Sequence, residues 1–231
     1  MKSHYSIAID GPSGAGKSSL ARRVASAFGF IYVDTGAIYR TVGLACFRAG
    51  ISCKDAEAVE KILPRLNIQM RFNAAGEQRM YLDEEDVSSR IRMPEISICA
   101  SDVSTLPVVR SFLLDMQRRM AKTNNVIMDG RDIGTVVLPD ADLKIFMTAS
   151  TAARAQRRLL ELQAKGVKAS FEEVFRDIEY RDQQDSTRAA APMRAAEDAV
   201  VLDTTNLNFE ESFRLLCRTI QEKLGIQPVN G

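Results

Sequence analysis

Gly11-Pro12-Ser13-Gly14-Ala15-Gly16-Lys17-Ser18 fits the phosphate-loop pattern G-x-x-x-x-G-K-[ST], and its flanks decide the fold. Before it, Tyr5-Ser6-Ile7-Ala8-Ile9-Asp10 alternates as a strand. After it, Leu20, Val24, Ala27 and Phe28 recur on one face of a helix. A strand, a glycine-rich turn and a helix start together make a nest of backbone N–H groups at the positive end of a helix dipole. On this reading Gly11, Pro12, Ser13, Gly14, Ala15, Gly16, Lys17, Ser18 and Ser19 bind the phosphates of a nucleoside triphosphate. Lys17 reaches the β- and γ-phosphates, and the Ser18 hydroxyl is a Mg²⁺ ligand. The loop leaves open what receives the phosphate.

Outward from the loop, strands and helices alternate, which predicts an α/β fold: a doubly wound parallel five-stranded sheet with helices on both faces. The first helix closes at Gly29, and Phe30-Ile31-Tyr32-Val33 reads as a buried strand. Ile38, Val42, Ala45 and Cys46 share a face of the next helix, which ends at Gly50. Val126-Ile127-Met128, ending at Asp129, Leu143–Met147 and Val200-Val201-Leu202 supply three more strands. Asn208 with Glu211 three residues on is a capping box that opens the last helix, carrying Phe213, Leu216, Ile220 and Leu224. Between about Asn67 and Val87 the period changes to two, interrupted by Asn73-Ala74-Ala75-Gly76, which predicts an inserted hairpin. Helices follow it around Ile96–Val103 and Val109–Met120.

The 231 residues suffice for one full core with an inserted subdomain. A formal net charge of +1 gives no support for sequence-independent nucleic-acid binding or for membrane binding. No apolar run approaches the length of a bilayer span, and Met1-Lys2-Ser3-His4 shows no signal-peptide pattern. Cys46, Cys53, Cys99 and Cys217 lack metal or redox spacing, so they read as small hydrophobes in a reducing, cytoplasmic compartment. The one histidine, His4, precedes the first strand and reads as a surface residue. Nothing in the sequence demands assembly, and a monomer is expected.

The acceptor side announces itself as a displaced pattern. Ser170 and Glu173 open another capping box, followed by an apolar stripe at Val174 and Ile178. Its continuation by the same steps is Arg181, Asp185 and Arg188, where leucines are expected. Ion pairing along the helix explains this poorly, since such pairs contribute only about 0.2–0.5 kcal/mol. Cations gathered on an inward face repel one another unless an anion joins them, so this stretch predicts a phosphate clamp. Two strand ends support it. One is Asp34, followed by Thr35-Gly36-Ala37-Ile38-Tyr39-Arg40, and the other is Asp129, followed by Gly130-Arg131-Asp132. Ligands of doubly wound sheets sit beyond the carboxyl ends of strands. Asp34 or Asp129 could assist Mg²⁺ through water, or each could cap the helix that follows.

Together these four motifs make the chain resemble the bacterial cytidylate kinases, along essentially its whole length and including the hairpin-bearing insertion. That resemblance implies a phosphate-loop core at 1–35, 105–150 and 189–231, a monophosphate-binding region at 36–104, and lid and clamp helices at 151–188. It implies transfer of the ATP γ-phosphoryl group to CMP or dCMP with Mg²⁺. Thr35, Arg40, Arg131, Arg181 and Arg188 would hold the acceptor phosphate, and Asp185 the ribose. Ser101, Arg110 and Asp132 would read cytosine. Arg154, Arg157 and Arg158 would lie in the lid over the donor phosphates. Lys17, Arg131, Arg181 and Arg188 would stabilise the charge of the reacting group. The chemistry of Asp132 is sensible on its own terms, because a carboxylate accepts from the exocyclic amine that cytosine has and uracil lacks. Ser101 and Arg110 rest on the resemblance alone. The competing readings are a related kinase taking UMP, AMP or dTMP, and a nucleotide-binding switch with no acceptor.

Overall fold

The computed structural model of the chain describes residues 4–164 and 166–229, so the Met1-Lys2-Ser3 start lies outside the described residues. In chain order the elements are β1 (Ser6–Asp10), α1 (Lys17–Phe28), β2 (Ile31–Asp34), α2 (Thr35–Arg48), α3 (Ala56–Ile62), β3 (Ile68–Phe72), β4 (Gln78–Leu82) and β5 (Glu85–Asp86). There follow α4 (Pro94–Val103), α5 (Pro107–Thr123), β6 (Val126–Asp129), β7 (Leu143–Thr148), α6 (Thr151–Ala164), α7 (Phe171–Thr187), β8 (Val200–Asp203) and α8 (Phe209–Leu224). The five-stranded sheet runs β2-β6-β1-β7-β8. β1 pairs in parallel with β6 on one side and β7 on the other, Ile7 standing opposite Ile127 and Leu143. Ile7, Ala8 and Ile9 are fully buried, as are Val126, Ile127 and Met128, the unbroken apolar run of strands covered on both faces. The strand order reverses at β1, whose carboxyl end leads directly into Gly11.

The chain divides into two compact units, Met1–Ile31 with Asn124–Gly231, and Tyr32–Thr123. In the first, α1 is joined to α8 by Arg23, which stacks on the rings of Phe209 and Phe213 and pairs with Glu210. α6 and α7 share a small apolar core of Ala155, Val174 and Ile178, flanked by Leu159, Phe171 and Phe175. Both capping boxes read from the sequence form, Ser170 with Glu173 and Asn208 with Glu211.

The second unit has its own core, joining Ile38, Val42 and Cys46 of α2 to Val59 of α3, Met80 and Leu82 of β4, and Ile96 and Val103 of α4. Val109 and Leu113 bring α5 into that same core, so Pro107–Thr123 packs with this unit, whereas the family resemblance groups it with the phosphate-loop core. The inserted hairpin is an antiparallel sheet ordered β3-β4-β5, in register from Ile68 opposite Leu82 to Phe72 opposite Gln78. Asn73 closes its turn, accepting from the amides of Ala75 and Glu77. Cys46 and Cys53 are buried while Cys99 and Cys217 are half-buried, and all four are free thiols. No single helix among the described residues is long and apolar enough to cross a membrane.

Candidate active site

The phosphate loop takes the backbone its glycines permit. Gly11, Gly14 and Gly16 have φ of 142°, 76° and 84°, and a Cβ on Gly11 would stand 1.9 Å from the carbonyl oxygen of Met147. α1 starts at Lys17 with no side chain capping its N-terminus, which leaves the helix start suited to an anion. Lys17 is buried, and its ammonium donates to the carbonyl of Pro12 at 2.7 Å. Burial and then the nearby Arg131 lower its pKa to about 7, against the support of Asp129, Asp10 and Asp185.

Beside the loop, the Ser18 hydroxyl donates to Oδ2 of Asp129 at 2.6 Å. A hydroxyl and a carboxylate are hard oxygen donors, and no group of three or more His, Cys, Asp or Glu side chains among the described residues forms a metal cage. That sparse set fits Mg²⁺, which keeps waters and substrate phosphates in its coordination sphere. Asp34 has other work. Its Oδ1 accepts from the amide of Ala37 and caps α2, and its Oδ2 pairs with Arg40 at 2.9 Å and Arg92 at 3.0 Å. Of the two carboxylates suggested by the sequence, Asp129 is the one paired with Ser18.

Past Asp129 the chain makes a π-type turn, Ile133–Val137, with hydrogen bonds from Val137 to Asp132 and from Leu138 to Ile133. Arg131 leaves the start of this loop and donates to Asp185 of α7 at 2.7 Å. Asp132 accepts from Arg188 at 3.0 Å, and both side chains are buried, 7% and 4% exposed. Arg188 also donates to the carbonyl of Ala191 and lies 3.9 Å from Asp185. The redirected stripe of α7 therefore faces the end of β6, as an inward-turning face requires. Burial, then Arg131, then Asp177 and Arg158 act on Arg181, and the net effect lowers its pKa. Arg131 in turn is opposed by burial but held up by Asp185, with Asp129 and Asp10 adding to it. Arg131 thus opposes the charge of both Lys17 and Arg181, and Arg158 that of Arg181, the condition that an anion relieves.

The arginines of α6 are placed differently from one another. Arg154 is buried and spans Ala149, Ser13 of the phosphate loop and Thr151, with an ion pair to Asp182 at 2.7 Å. Arg157 donates to the carbonyls of Thr204 and Leu207, and Arg158 pairs with Glu161 on the surface. Arg154 reaches the phosphate loop through the carbonyl of Ser13, and Arg157 is bound to the loop after β8.

In the second unit, Thr35 is buried at the start of α2. Burial pushes the Asp34 carboxyl up, but Arg40 and Arg92 together hold it below its ordinary value. Gln78 of β4 grips the peptide of Asp34 at both ends, accepting from its amide at 2.7 Å and donating to its carbonyl at 3.2 Å. Arg110 of α5 lies over the ring of Tyr39 at 5.7 Å and donates to the carbonyl of Ser104. Ser101 sits in α4, where its carbonyl accepts from the Ser104 hydroxyl. Sequence reasoning misses Arg92 and Gln78, whose partners lie 58 and 44 residues away with no local pattern.

A sequence profile of the family described as Cytidylate kinase matches residues 7–222 of this chain. The chain is 51% identical to a cytidylate kinase of Caldicellulosiruptor bescii, covering 89% of this chain and 90% of the relative. It is 46% identical to a cytidylate kinase of Carboxydothermus hydrogenoformans, covering 94% and 97%. Among solved structures, an uncharacterized protein from Eubacterium ventriosum superposes with a TM-score of 0.53 at 9% identity, covering 94% of this chain and 99% of that one, a likeness of fold alone.

Proposed function

This chain belongs to the cytidylate kinase family, an ATP-dependent nucleoside monophosphate kinase acting on CMP, and we propose how its residues divide that reaction. Gly11–Ser19 cradle the donor phosphates, with the amides of the loop and of the start of α1 as donors. Lys17 neutralises the β- and γ-phosphates. The fit of Ser18 and Asp129 to a hard cation supports Mg²⁺ as the ion accompanying ATP. When bound, that ion neutralises charge on the donor oxygens. Acceptor-side assignments follow the side chains. Arg131, Arg181 and Arg188 take the acceptor phosphate with Thr35 and Arg40, Asp185 takes the ribose, and Asp132 takes the cytosine amine with Ser101 and Arg110. The same acceptor site takes dCMP. Arg154, Arg157 and Arg158 are the α6 arginines that face the donor phosphates, Arg154 and Arg157 being held in place by backbone carbonyls and Arg158 by an exposed pair with Glu161. Residues 36–104 serve as the monophosphate-binding region and 151–188 as the lid. The protein acts as a monomer in the cytoplasm.

The single observation that carries this division is the cationic cluster. With burial, Arg131 lowers the pKa of both Lys17 and Arg181, and Arg131 and Arg188 are kept in place by carboxylates until an anion arrives. Phosphoryl transfer needs little covalent help from a protein. It needs an in-line acceptor oxygen and compensation for charge spread over the transferring group. A triphosphate-binding switch has no use for the second set of arginines. The test is fate of label: with γ-labelled ATP and CMP, the label should appear in CDP. Label released only as inorganic phosphate would contradict the assignment of an acceptor site.

A further inference from the structure

We propose that Asp10 is a positioning residue for the acceptor half of this site, holding the turn from which Arg131 and Asp132 project. Asp10 ends β1, and the next residue is Gly11 of the phosphate loop. Its side chain does not turn to the loop it precedes. Oδ1 accepts from the amide of Ile133 at 2.8 Å and Oδ2 from the amide of Gly134 at 2.7 Å. Those are the first amides of the π-type turn, which lack partners within the turn. One carboxylate thereby closes the loop Gly130–Asp132 from behind, and the two charged side chains of that loop leave it toward Asp185 and Arg188. One residue thus joins the donor loop through its main chain and the acceptor loop through its side chain.

The residue type fits this task and is costly for any lesser one. The two amides take one oxygen each, an arrangement that a carboxylate offers and a carboxamide, with its single oxygen, does not. Asp10 is 4% exposed, and burial pushes its pKa up to about 6, with Asp132 adding repulsion while its two amide bonds and Lys17 oppose the rise. A buried charge opposed by its surroundings is a poor choice for mere scaffolding. Gly134 fits the same design, because a Cβ there would stand 3.2 Å from the stem of Lys144, tighter than ordinary contact.

This inference rests on the assignment of Arg131 and Asp132 to the acceptor, and the test separates the two. Asp10→Asn and Asp10→Ser are measured for kcat and KM with CMP and UMP at saturating ATP, for MgATP affinity by calorimetry, and for thermal midpoint. Asn keeps the shape and offers one acceptor with one misplaced donor, and Ser offers one acceptor. Both should raise KM for CMP at least about tenfold and lower the CMP-over-UMP preference by a similar factor. MgATP affinity should stay within about threefold, while an amide left without its partner lowers the midpoint by roughly 2–12 °C; it is the split between the two substrates that a scaffold role does not produce. Unchanged KM and preference would overturn the proposal. So would a parallel loss of ATP affinity, or failure of both variants to fold. Asp132→Ala is the control on the premise. If it leaves the CMP preference intact, the base-reading assignment fails, and the Asp10 proposal falls with it, whatever the Asp10 variants do.

Discussion

Removing the carboxylate of Asp132 should damage stability and base choice together, and the two effects can be read separately. Asp132 and Arg188 form a pair at 3.0 Å with 7% and 4% of their side chains exposed. Breaking such a buried pair from one side costs about 3–5 kcal/mol, because the surviving charge stays buried. Arg188 keeps the carbonyl of Ala191 and gains what Asp185, 3.9 Å away, can supply. The lower end, about 3 kcal/mol, therefore applies to Asp132→Ala. In a chain of this size each kcal/mol moves the thermal midpoint by roughly 2–4 °C, so the drop should be roughly 6–12 °C. Adding Arg188→Ala removes the stranded guanidinium, and the double variant should be more stable than the sum of the singles by at least about 1 kcal/mol. Thermal unfolding of the four proteins in the cycle reads this directly. In activity, Asp132→Ala should keep MgATP affinity within about threefold while CMP turnover falls far more. Strictly additive stabilities, or a midpoint within about 2 °C of the parent, would refute the pair as a buried, mutually dependent unit.

Three further outcomes follow from the same geometry. Ser18→Ala removes a hydroxyl beside Asp129 and should raise the Mg²⁺ concentration for half-maximal rate about tenfold, or about 1.4 kcal/mol, measured by Mg²⁺ titration at fixed ATP. An unchanged Mg²⁺ requirement would remove Ser18 from the metal site. Lys17, with its pKa lowered to about 7, is mostly neutral at pH 8 and mostly charged at pH 6. Phosphates favour the ammonium form, so ATP binding should take up most of a proton at pH 8 and far less at pH 6, read by calorimetry in buffers of different ionisation heat. Proton release at pH 8 would contradict this sign. Gln78→Ala loses both hydrogen bonds to the Asp34 peptide, at about 1–2 kcal/mol of stability. It should raise KM for CMP several-fold while ATP affinity stays put, and an equal loss for both substrates would count against it.

What the sequence discloses depends on how far away the cause lies. The phosphate loop, the capping boxes at Ser170 and Asn208, and the hairpin around Asn73 are local patterns, and each forms where its spacing indicates. Arg181, Asp185 and Arg188 were legible as an apolar stripe turned polar, because helical spacing carries the signal. The π-type turn at Ile133–Val137 had no such signal, since Ile-Gly-Thr-Val-Val has neither a strand nor a helix period. Asp10 reads as one more strand residue, and its partners are amides 123 and 124 positions on. Asp34 was legible in type but divided in role. The spacing to Ala37 indicated a cap, while Arg92 reaches it across 58 residues. Arg154 and Arg157 look like free cations on a basic helix until the carbonyls of Ser13 and Thr204 come to meet them.

Acceptor-dependent ADP formation across CMP, dCMP, UMP, AMP and dTMP, at fixed MgATP, tests the two-ended site most directly. CMP and dCMP should accelerate ADP release far above the acceptor-free rate and exceed the other monophosphates by at least about tenfold in kcat/KM. A rate that is the same with and without acceptor, or an order-of-magnitude preference for UMP or AMP, would contradict the account.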